Sequence, residues 1–189
     1  MVFISTIDGN GIPNVATVAY VTFIQSNPPV LALGLGKHRT LRNICTTREF
    51  VVNVPDKNLA EESWIIGELF SNRRIPRGIN KFDLANLTRS PAQRVKAPLV
   101  GECFAHLECR AIWIREMERA SLVLGEVVAA SYENERFDEE MIVRKEQFAS
   151  LLLVSGSLCS VPGMIFSIDI KNAEKRAQEK LMSFHTPHA

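Results

Sequence analysis

The sequence predicts a mainly β protein, an antiparallel barrel or sandwich of six or seven strands with short helices at its periphery. Three observations lead to this prediction. The chain holds six or seven strand-like runs, these runs do not alternate with helices in a βαβ pattern, and no segment is repeated. The 189 residues amount to about one domain, and we see no domain boundary. We expect a single domain over residues 1–189, with a helical tail from about residue 172.

The composition is that of an ordinary globular protein and excludes several function classes. The chain is 46% hydrophobic and 23% charged, and its 22 Lys and Arg residues against 21 Asp and Glu give a net charge of +1. This balance predicts no basic face for nucleic acid. No apolar run approaches the ~20 residues of a membrane helix, and no basic leader precedes the first apolar residues. The four cysteines form no CxxC pair, which favours reduced thiols in a cytoplasmic protein.

The first 36 residues predict three strands. Val2–Ile7 is apolar and rich in β-branched residues, and the Asp-Gly-Asn-Gly turn that follows tolerates the positive φ of a tight hairpin. A second strand is expected over residues 14–24, antiparallel to the first. After the turn at Pro28 and Pro29, residues 30–36 predict a third, largely buried strand.

The next segment predicts two helices around a strand, and then a surface excursion. Leu41 and Ile44 lie at helical spacing behind Thr40, which is a suitable N-cap. The expected elements are a helix over 40–48, a strand over 50–54 and a helix over 58–69. Residues 71–96 are polar and basic, which predicts a surface segment with one helical turn at 82–87.

Two long strands are expected over residues 103–116 and 119–132. In the first, His106, Glu108 and Arg110 alternate with Leu107 and Cys109, and this period of two is typical of a half-buried strand. The remaining pattern predicts a helix over 138–153, a strand over 164–170 and a polar helix over 172–182.

The sequence contains no conspicuous catalytic or metal-binding motif. It lacks a GxGxxG loop, a P-loop and a GxSxG elbow. The four histidines are scattered, and His106 and Cys103 lie three residues apart on a strand, so they point to opposite faces. We therefore expect no metal site, and we interpret Cys103 and Cys109 as core thiols.

One local pattern suggests an anion site. Lys37, His38, Arg39 and Thr40 join a buried strand to the start of a helix. Unpaired backbone N–H groups and the positive end of the helix dipole favour an anion there, and the Lys, Arg and Thr side chains add donors. An exposed basic turn has the same local pattern. The residues alone leave both interpretations open.

An ordered set of short motifs resembles a known family. The first motifs are Asn14-Val15-Ala16-Thr17, Arg39-Thr40-Leu41-Arg42-Asn43-Ile44 and Glu49-Phe50-Val51-Val52-Asn53-Val54-Pro55. Later markers are Lys81-Phe82, Ala97-Pro98, Leu107-Glu108-Cys109 and Leu124-Gly125-Glu126-Val127-Val128. Over residues 1–170 the chain resembles the flavin reductase-like family of FMN-binding split barrels. The resemblance implies a Greek-key split β-barrel, and the family includes NAD(P)H:flavin reductases, flavoredoxin-like carriers and reductase components of two-component monooxygenases.

The resemblance also implies an FMN site. The segment from Asn14 to Thr17 would lie along the isoalloxazine, with the Asn14 amide at its polar edge, while Lys81 would reach the cofactor. A family histidine is replaced by Ser131, and the segment 155–160 lacks the relatives' tyrosine. The implied cofactor-binding residues are Asn14, Val15, Ala16, Thr17, Tyr20, Gly36, Lys37, Arg39, Thr40, Asn43, Lys81 and Ser131, of which Gly36, Arg39, Thr40 and Asn43 would hold the phosphate.

The implied activity is hydride transfer from NAD(P)H to FMN in a homodimer with FMN near the subunit interface. Such a transfer requires stacked rings rather than a side-chain acid or base. The alternatives are a flavoredoxin-like carrier with a redox partner protein, and a split barrel without flavin. Simpler roles also exist for single residues: a turn residue for Asn14, an ordinary barrel side chain for Tyr20, a solvated cation for Lys81 and a half-exposed carboxylate for Glu108.

Overall fold

A computed structural model describes residues 1–70, 75–76, 78–137, 139, 152–155, 158–161, 164–167 and 169–184. Its strands are β1 (Val2–Ile7), β2 (Pro13–Val18), β3 (Val21–Ser26), β4 (Pro29–Gly36), β5 (Glu49–Val54), β6 (Arg89–Ser90), β7 (Leu99–Val100), β8 (Ala105–Glu116), β9 (Ala120–Tyr132), β10 (Leu152–Ser155), β11 (Leu158–Val161) and β12 (Met164–Ser167). Its α-helices are α1 (Arg39–Thr47), α2 (Ala60–Trp64), α3 (Lys81–Leu84) and α4 (Ile170–Ser183).

The main element is a seven-stranded antiparallel sheet. Its strand order is β2-β1-β5-β8-β9-β4-β3, beside a three-stranded sheet of β10 to β12 and the short pair β6–β7. The pairing from β1 to β9 is antiparallel throughout. This arrangement confirms the predicted class, mainly antiparallel β with peripheral helices.

The two outer strands of this sheet are consecutive in the chain. The prediction of one strand over residues 14–24 is wrong, because β2 pairs with β1 and β3 pairs with β4 at the other edge. Only Ala19 and Tyr20 separate them, so the Cα atoms of Val18 and Val21 lie within about 11 Å of each other. The edges of the sheet must therefore come together, and the sheet curls on itself.

The curled sheet separates two apolar clusters. Phe3 and Ile4 are neighbours on β1 and point to opposite faces, and both are fully buried. Ile4 joins an inner cluster with Leu33 and Phe50, while Phe3 joins an outer cluster that the helices cover. The tail helix α4 contributes Ala173 to the outer cluster. β1 is thus buried on both faces.

Several other predicted elements need correction. The helix predicted over 58–69 is a 3₁₀ turn, the short helix α2 and a π-helical turn over Ile65–Leu69. The predicted N-cap Thr40 is wrong, because α1 begins earlier and His38 occupies the N-cap. The helical turn predicted at 82–87 is α3, which starts at Lys81 after the Asn80 cap.

Part of the C-terminal prediction lies outside the described residues. Of the helix predicted over 138–153, residues 138 and 140–151 lie outside the described residues. Leu152 and Leu153 begin strand β10 rather than continue a helix. The strand predicted over 164–170 ends at Ser167, and Ile170 starts α4. Within the residues that the structure describes, no helix has the length and apolar character needed to cross a membrane.

The two cysteines interpreted as core thiols are buried. Cys103 lies in the outer cluster and Cys109 in the inner one. Burial raises the pKa of both thiols. This confirms the interpretation of both residues as core thiols.

Candidate functional site

A cavity of about 660 Å³ opens beside β2, the start of α1 and the π-helical turn. Pockets for small ligands and cofactors typically measure ~300–1,000 Å³. One wall is strand β2, the second is the chain from Ser63 to Phe70, and the third is the junction between β4 and α1. The size and the mixed apolar and basic lining suit a cofactor-sized ligand with an anionic group.

Nine of the twelve residues implied by the sequence line this cavity. They come from three separate segments, which the fold brings together, and they are Asn14, Ala16, Thr17, Tyr20, Gly36, Lys37, Arg39, Thr40 and Lys81. Tyr20 stands at the mouth with 79% of its surface exposed. The simpler role for Lys81 as a solvated cation is wrong, because the side chain is buried.

The other three residues lie away from the lining. The Val15 side chain points to the opposite face of β2 from its lining neighbours and is fully buried in the outer cluster. Asn43 lies on the buried face of α1, where it donates a hydrogen bond to Thr6. Ser131 lies on β9 opposite His106, and its buried hydroxyl has no partner among the described residues. The structure does not bring these three side chains to the cavity.

The start of α1 is open to an acceptor. Its N-cap His38 makes no capping hydrogen bond with its side chain, and the first turn holds no acidic residue. The first N–H groups of a helix have no intrahelical partner, and the helix dipole adds partial positive charge. Lys37, Arg39 and Arg42 add cationic side chains to this corner of the cavity. We define these residues with Thr40 as the basic corner.

Two buried hydrogen bonds fasten α1 to the first two strands. Asn14 Nδ2 donates to Thr40 Oγ1 at 3.0 Å, and Asn43 Nδ2 donates to Thr6 Oγ1 at 3.0 Å. Thr6 and Asn14 stand directly opposite each other on β1 and β2. The same type of bond therefore occurs twice in opposite directions, and of these four residues only Asn14 and Thr40 border the cavity.

Thr17 and Lys81 fix the second wall of the cavity. Thr17 Oγ1 donates to the Ser63 carbonyl at 2.7 Å, and Lys81 Nζ donates to the Ile66 carbonyl at 2.7 Å. Gly67 allows a close approach here, since a Cβ at this position would lie 3.0 Å from Thr17 Cβ. Burial, and secondarily the charge of Arg39, lowers the pKa of Lys81 to about 8. Thr17 thus ties this wall to β2, and Lys81 ties it to α3.

Sequence reasoning missed the residues of this wall. Trp64, Ile66, Gly67 and Phe70 line the cavity, but the segment was predicted as a regular helix without a functional role. The isolated glycine at position 67 was the available signal, since glycine inside a helical pattern weakens the prediction of a regular helix. A π-helical turn is also frequent at functional sites.

The donor set suits an elongated ligand with a planar ring and a phosphate. The basic corner supplies backbone N–H groups, cations and the Thr40 hydroxyl for the anionic end. Trp64, which is only partly buried, supplies apolar surface for the ring. Among the described residues no three His, Cys, Asp or Glu side chains come close enough to hold a metal ion.

Comparison with known proteins identifies relatives along most of the chain. Residues 1–160 match the family model of the flavin reductase like domain. An uncharacterized protein from Aquifex aeolicus is 28% identical over 160 residues, which cover 82% of this chain and 79% of that protein.

Three solved structures share the fold. A flavoredoxin from Methanosarcina acetivorans superposes with a TM-score of 0.72 at 23% identity, covering 92% of this chain and 90% of that chain. An FMN-binding protein from Thermus thermophilus superposes with a TM-score of 0.71 at 16% identity, covering 85% of this chain and 84% of that chain. A third structure, described as a flavin reductase with a split barrel domain from Shewanella frigidimarina, superposes with a TM-score of 0.69 at 17% identity, covering 89% of this chain and 81% of that chain. This likeness confirms the split-barrel fold, and the match over residues 1–160 shows that the chain belongs to the flavin reductase-like domain family.

Proposed function

We propose that the protein binds FMN in this cavity and acts as a flavin reductase that uses NAD(P)H. The observation that carries the proposal is the basic corner at the uncapped start of α1, next to an apolar wall of cofactor size. Membership of the flavin reductase-like family supports a flavin as the ligand. The similar protein from Thermus thermophilus is described as FMN-binding, which favours FMN among the flavins.

The proposed ligand set follows the geometry of the cavity. Lys37, Arg39 and Thr40 hold the phosphate together with the first N–H groups of α1, because a helix start favours a phosphate. The isoalloxazine ring lies between strand β2 and the wall from Ser63 to Phe70. Val15, Asn43 and Ser131 are left out of the proposed set, since their side chains do not reach the cavity.

The protein contributes binding, orientation and electrostatics to the proposed reaction. Bound FMN supplies the ring that takes up hydride. Trp64 and Ile66 exclude water from one side of the cavity, and Lys81 keeps a buried cation at its floor, which favours negative charge in the ligand. No side chain is assigned as a catalytic acid or base.

We also propose that the protein is a homodimer. Phe23 and Ile24 on the outer strand β3, and Ile112 and Trp113 on β8, are exposed apolar side chains, which are typical of an interface when they cluster. Light scattering coupled to size-exclusion chromatography tests the assembly. A single peak at twice the chain mass of 21.2 kDa supports the proposal, and a monomer contradicts it.

An absorption spectrum of the purified protein, with FMN added where needed, tests the proposed function. It is repeated without oxygen after addition of NADH or NADPH. Bound flavin that is bleached by either nucleotide supports the reductase, and a protein that takes up no FMN contradicts the site. The double variant Arg39→Ala with Thr40→Ala is expected to lose FMN affinity, whereas the exposed pair Arg119→Ala with Thr46→Ala serves as a matched control.

A second candidate function is a flavoredoxin-like electron carrier with a protein partner. The likeness to the flavoredoxin from Methanosarcina acetivorans and the serine at position 131 favour it. The same spectra separate the two functions. A carrier keeps its bound flavin oxidised in the presence of NADH and NADPH, although dithionite reduces it.

A further inference from the structure

We infer that Asn14 is a positioning residue, which turns the Thr40 hydroxyl proton toward the phosphate of the bound flavin. The inference rests on the proposed function and deepens it. The sequence resemblance placed the Asn14 amide at the polar edge of the isoalloxazine. In the structure this amide donates a hydrogen bond to Thr40 Oγ1 at 3.0 Å.

The direction of this hydrogen bond determines what Thr40 can do. A threonine hydroxyl has one proton to donate and accepts through its oxygen lone pairs. Because the oxygen accepts from Asn14, the proton must point elsewhere. Asn14 is only 1% exposed and Thr40 only 5%, and both line the cavity. The hydroxyl proton is therefore available to an acceptor inside the basic corner.

The other two threonines of α1 behave differently. Thr46 Oγ1 donates to the Arg42 carbonyl at 3.0 Å, and Thr47 Oγ1 donates to the Asn43 carbonyl at 3.0 Å. Bonding to the carbonyl four residues earlier is the usual arrangement for threonine in a helix. Thr40 lies in the first turn, where the fourth preceding residue is Gly36 in strand β4. Thr40 thus keeps a donor that Thr46 and Thr47 have used.

The bond between Asn43 and Thr6 provides a matched reference inside the same molecule. It joins the same residue types at the same distance between the same helix and the adjacent strand. It lies outside the cavity lining. Breaking either bond removes a similar amount of structural support from α1, but only the bond from Asn14 orients a donor toward the ligand.

The experiment compares FMN with riboflavin, which has the same ring without the phosphate. Dissociation constants are measured by quenching of flavin fluorescence for the wild type and for Asn14→Leu, Thr40→Val and Thr6→Val. We expect Asn14→Leu to weaken FMN about tenfold, the size of a lost hydrogen bond to a charged group, and to change riboflavin affinity less than twofold. Thr6→Val changes both affinities by the same factor.

A double variant tests whether Asn14 acts through Thr40. If it does, Asn14→Leu with Thr40→Val binds FMN no more weakly than Thr40→Val alone, because both changes remove the same donor. Asn14→Ser, which is too short to reach Thr40, repeats the test in case the leucine variant folds poorly. Partial unfolding affects both flavins alike and leaves the ratio of the two affinities unchanged.

The outcomes separate this inference from the proposed function. Equal losses for FMN and riboflavin in the Asn14 variants, or additive losses in the double variant, overturn the inference while the flavin site stands. A wild-type protein that binds neither flavin overturns both. A loss confined to FMN that disappears in the Thr40→Val background supports the positioning role.

Discussion

The ring of Phe50 fills the space that a side chain on Gly125 would occupy. A Cβ at position 125 would lie 2.3 Å from Cζ and 2.8 Å from Cε1 of that ring. The two residues belong to β5 and β9, with β8 between them. The Phe50 ring therefore extends across Cys109 on β8 and reaches Gly125 on β9. The glycine of the 124–128 motif therefore has a packing role in the inner cluster.

Gly125→Ala is expected to destabilise the protein by about 1–3 kcal/mol, the usual cost of overpacking a core. Urea unfolding measures the difference in the free energy of unfolding. Gly9→Ala is the control, because its Cβ would meet Thr46 only at an ordinary 3.7 Å. Combining Gly125→Ala with Phe50→Leu should recover part of the loss. Equal stability of the Gly125 and Gly9 variants contradicts the packing role.

Lys81 gives the stability a specific pH dependence. Burial lowers the pKa of Lys81 from 10.5 to about 8, so between these values the unfolded chain binds the proton and the folded chain does not. The contribution of Lys81 to the free energy of unfolding therefore rises with pH across this window, by about 3 kcal/mol in total at ~1.4 kcal/mol per pH unit. Below about pH 8 the residue is charged in both states and contributes no slope.

Lys81→Met should lose this rise, which urea unfolding between pH 7 and 10.5 measures against the wild type. The buried thiols act in the opposite direction, but they do so in both proteins. Lys96→Met, at an exposed lysine, should retain the slope of the wild type. Identical slopes for the wild type and Lys81→Met would show that Lys81 does not titrate in this window.

Glu108 holds the segment at residues 93–95 with three backbone hydrogen bonds. Its carboxylate accepts from the N–H groups of Gln93 at 2.9 Å, Arg94 at 2.6 Å and Val95 at 3.2 Å. Glu108→Gln places an NH₂ group against backbone donors and should cost about 3 kcal/mol. Hydrogen exchange at residues 93–95 should accelerate in this variant. Glu49→Gln, which removes a single acceptor from Lys96 N–H, should cost much less.

For Ser121 we expect a substitution that does not lower the stability. Its fully buried hydroxyl has no partner among the described residues, so Ser121→Ala removes an unsatisfied polar group and should leave stability unchanged or raise it by up to about 1 kcal/mol. Ser5 is the matched case, since its hydroxyl donates to the Pro98 carbonyl and accepts from Asn53. Ser5→Ala should lower the melting temperature, and a similar loss for Ser121→Ala contradicts the prediction.

Local patterns were sufficient for most strands of the main sheet. β1, β5 and β9 begin and end within one residue of the prediction, because side-chain alternation and turn residues are properties of neighbours along the chain. The break between β2 and β3 is different. It depends on which distant strand each half pairs with, and no residue between them is a turn former.

The alternation in β8 shows a second limit of sequence reasoning. The pattern indicated a solvent-exposed face for His106 and Glu108, yet both are buried. A polar face can be covered by a loop whose N–H groups take the place of water. Side-chain periodicity does not distinguish such a covered face from a solvent-exposed one. The candidate site was likewise predicted only in part. The family resemblance led to nine lining residues, but the wall around Trp64 depends on a π-helical turn that a helical period does not reveal.

The strand order also sets the timing of folding during synthesis. The first 54 residues contain two ribbons, β2-β1-β5 and β3-β4, whose inner edges face partners in β8 and β9. Residues 55–132 must be made before β8 and β9 are complete, which takes roughly 4–16 s at ~5–20 residues per second. During this interval the apolar edges of β4 and β5 are open to pairing with another nascent chain. Aggregation therefore competes with folding in one defined window, which closes when the hairpin of β8 and β9 leaves the ribosome.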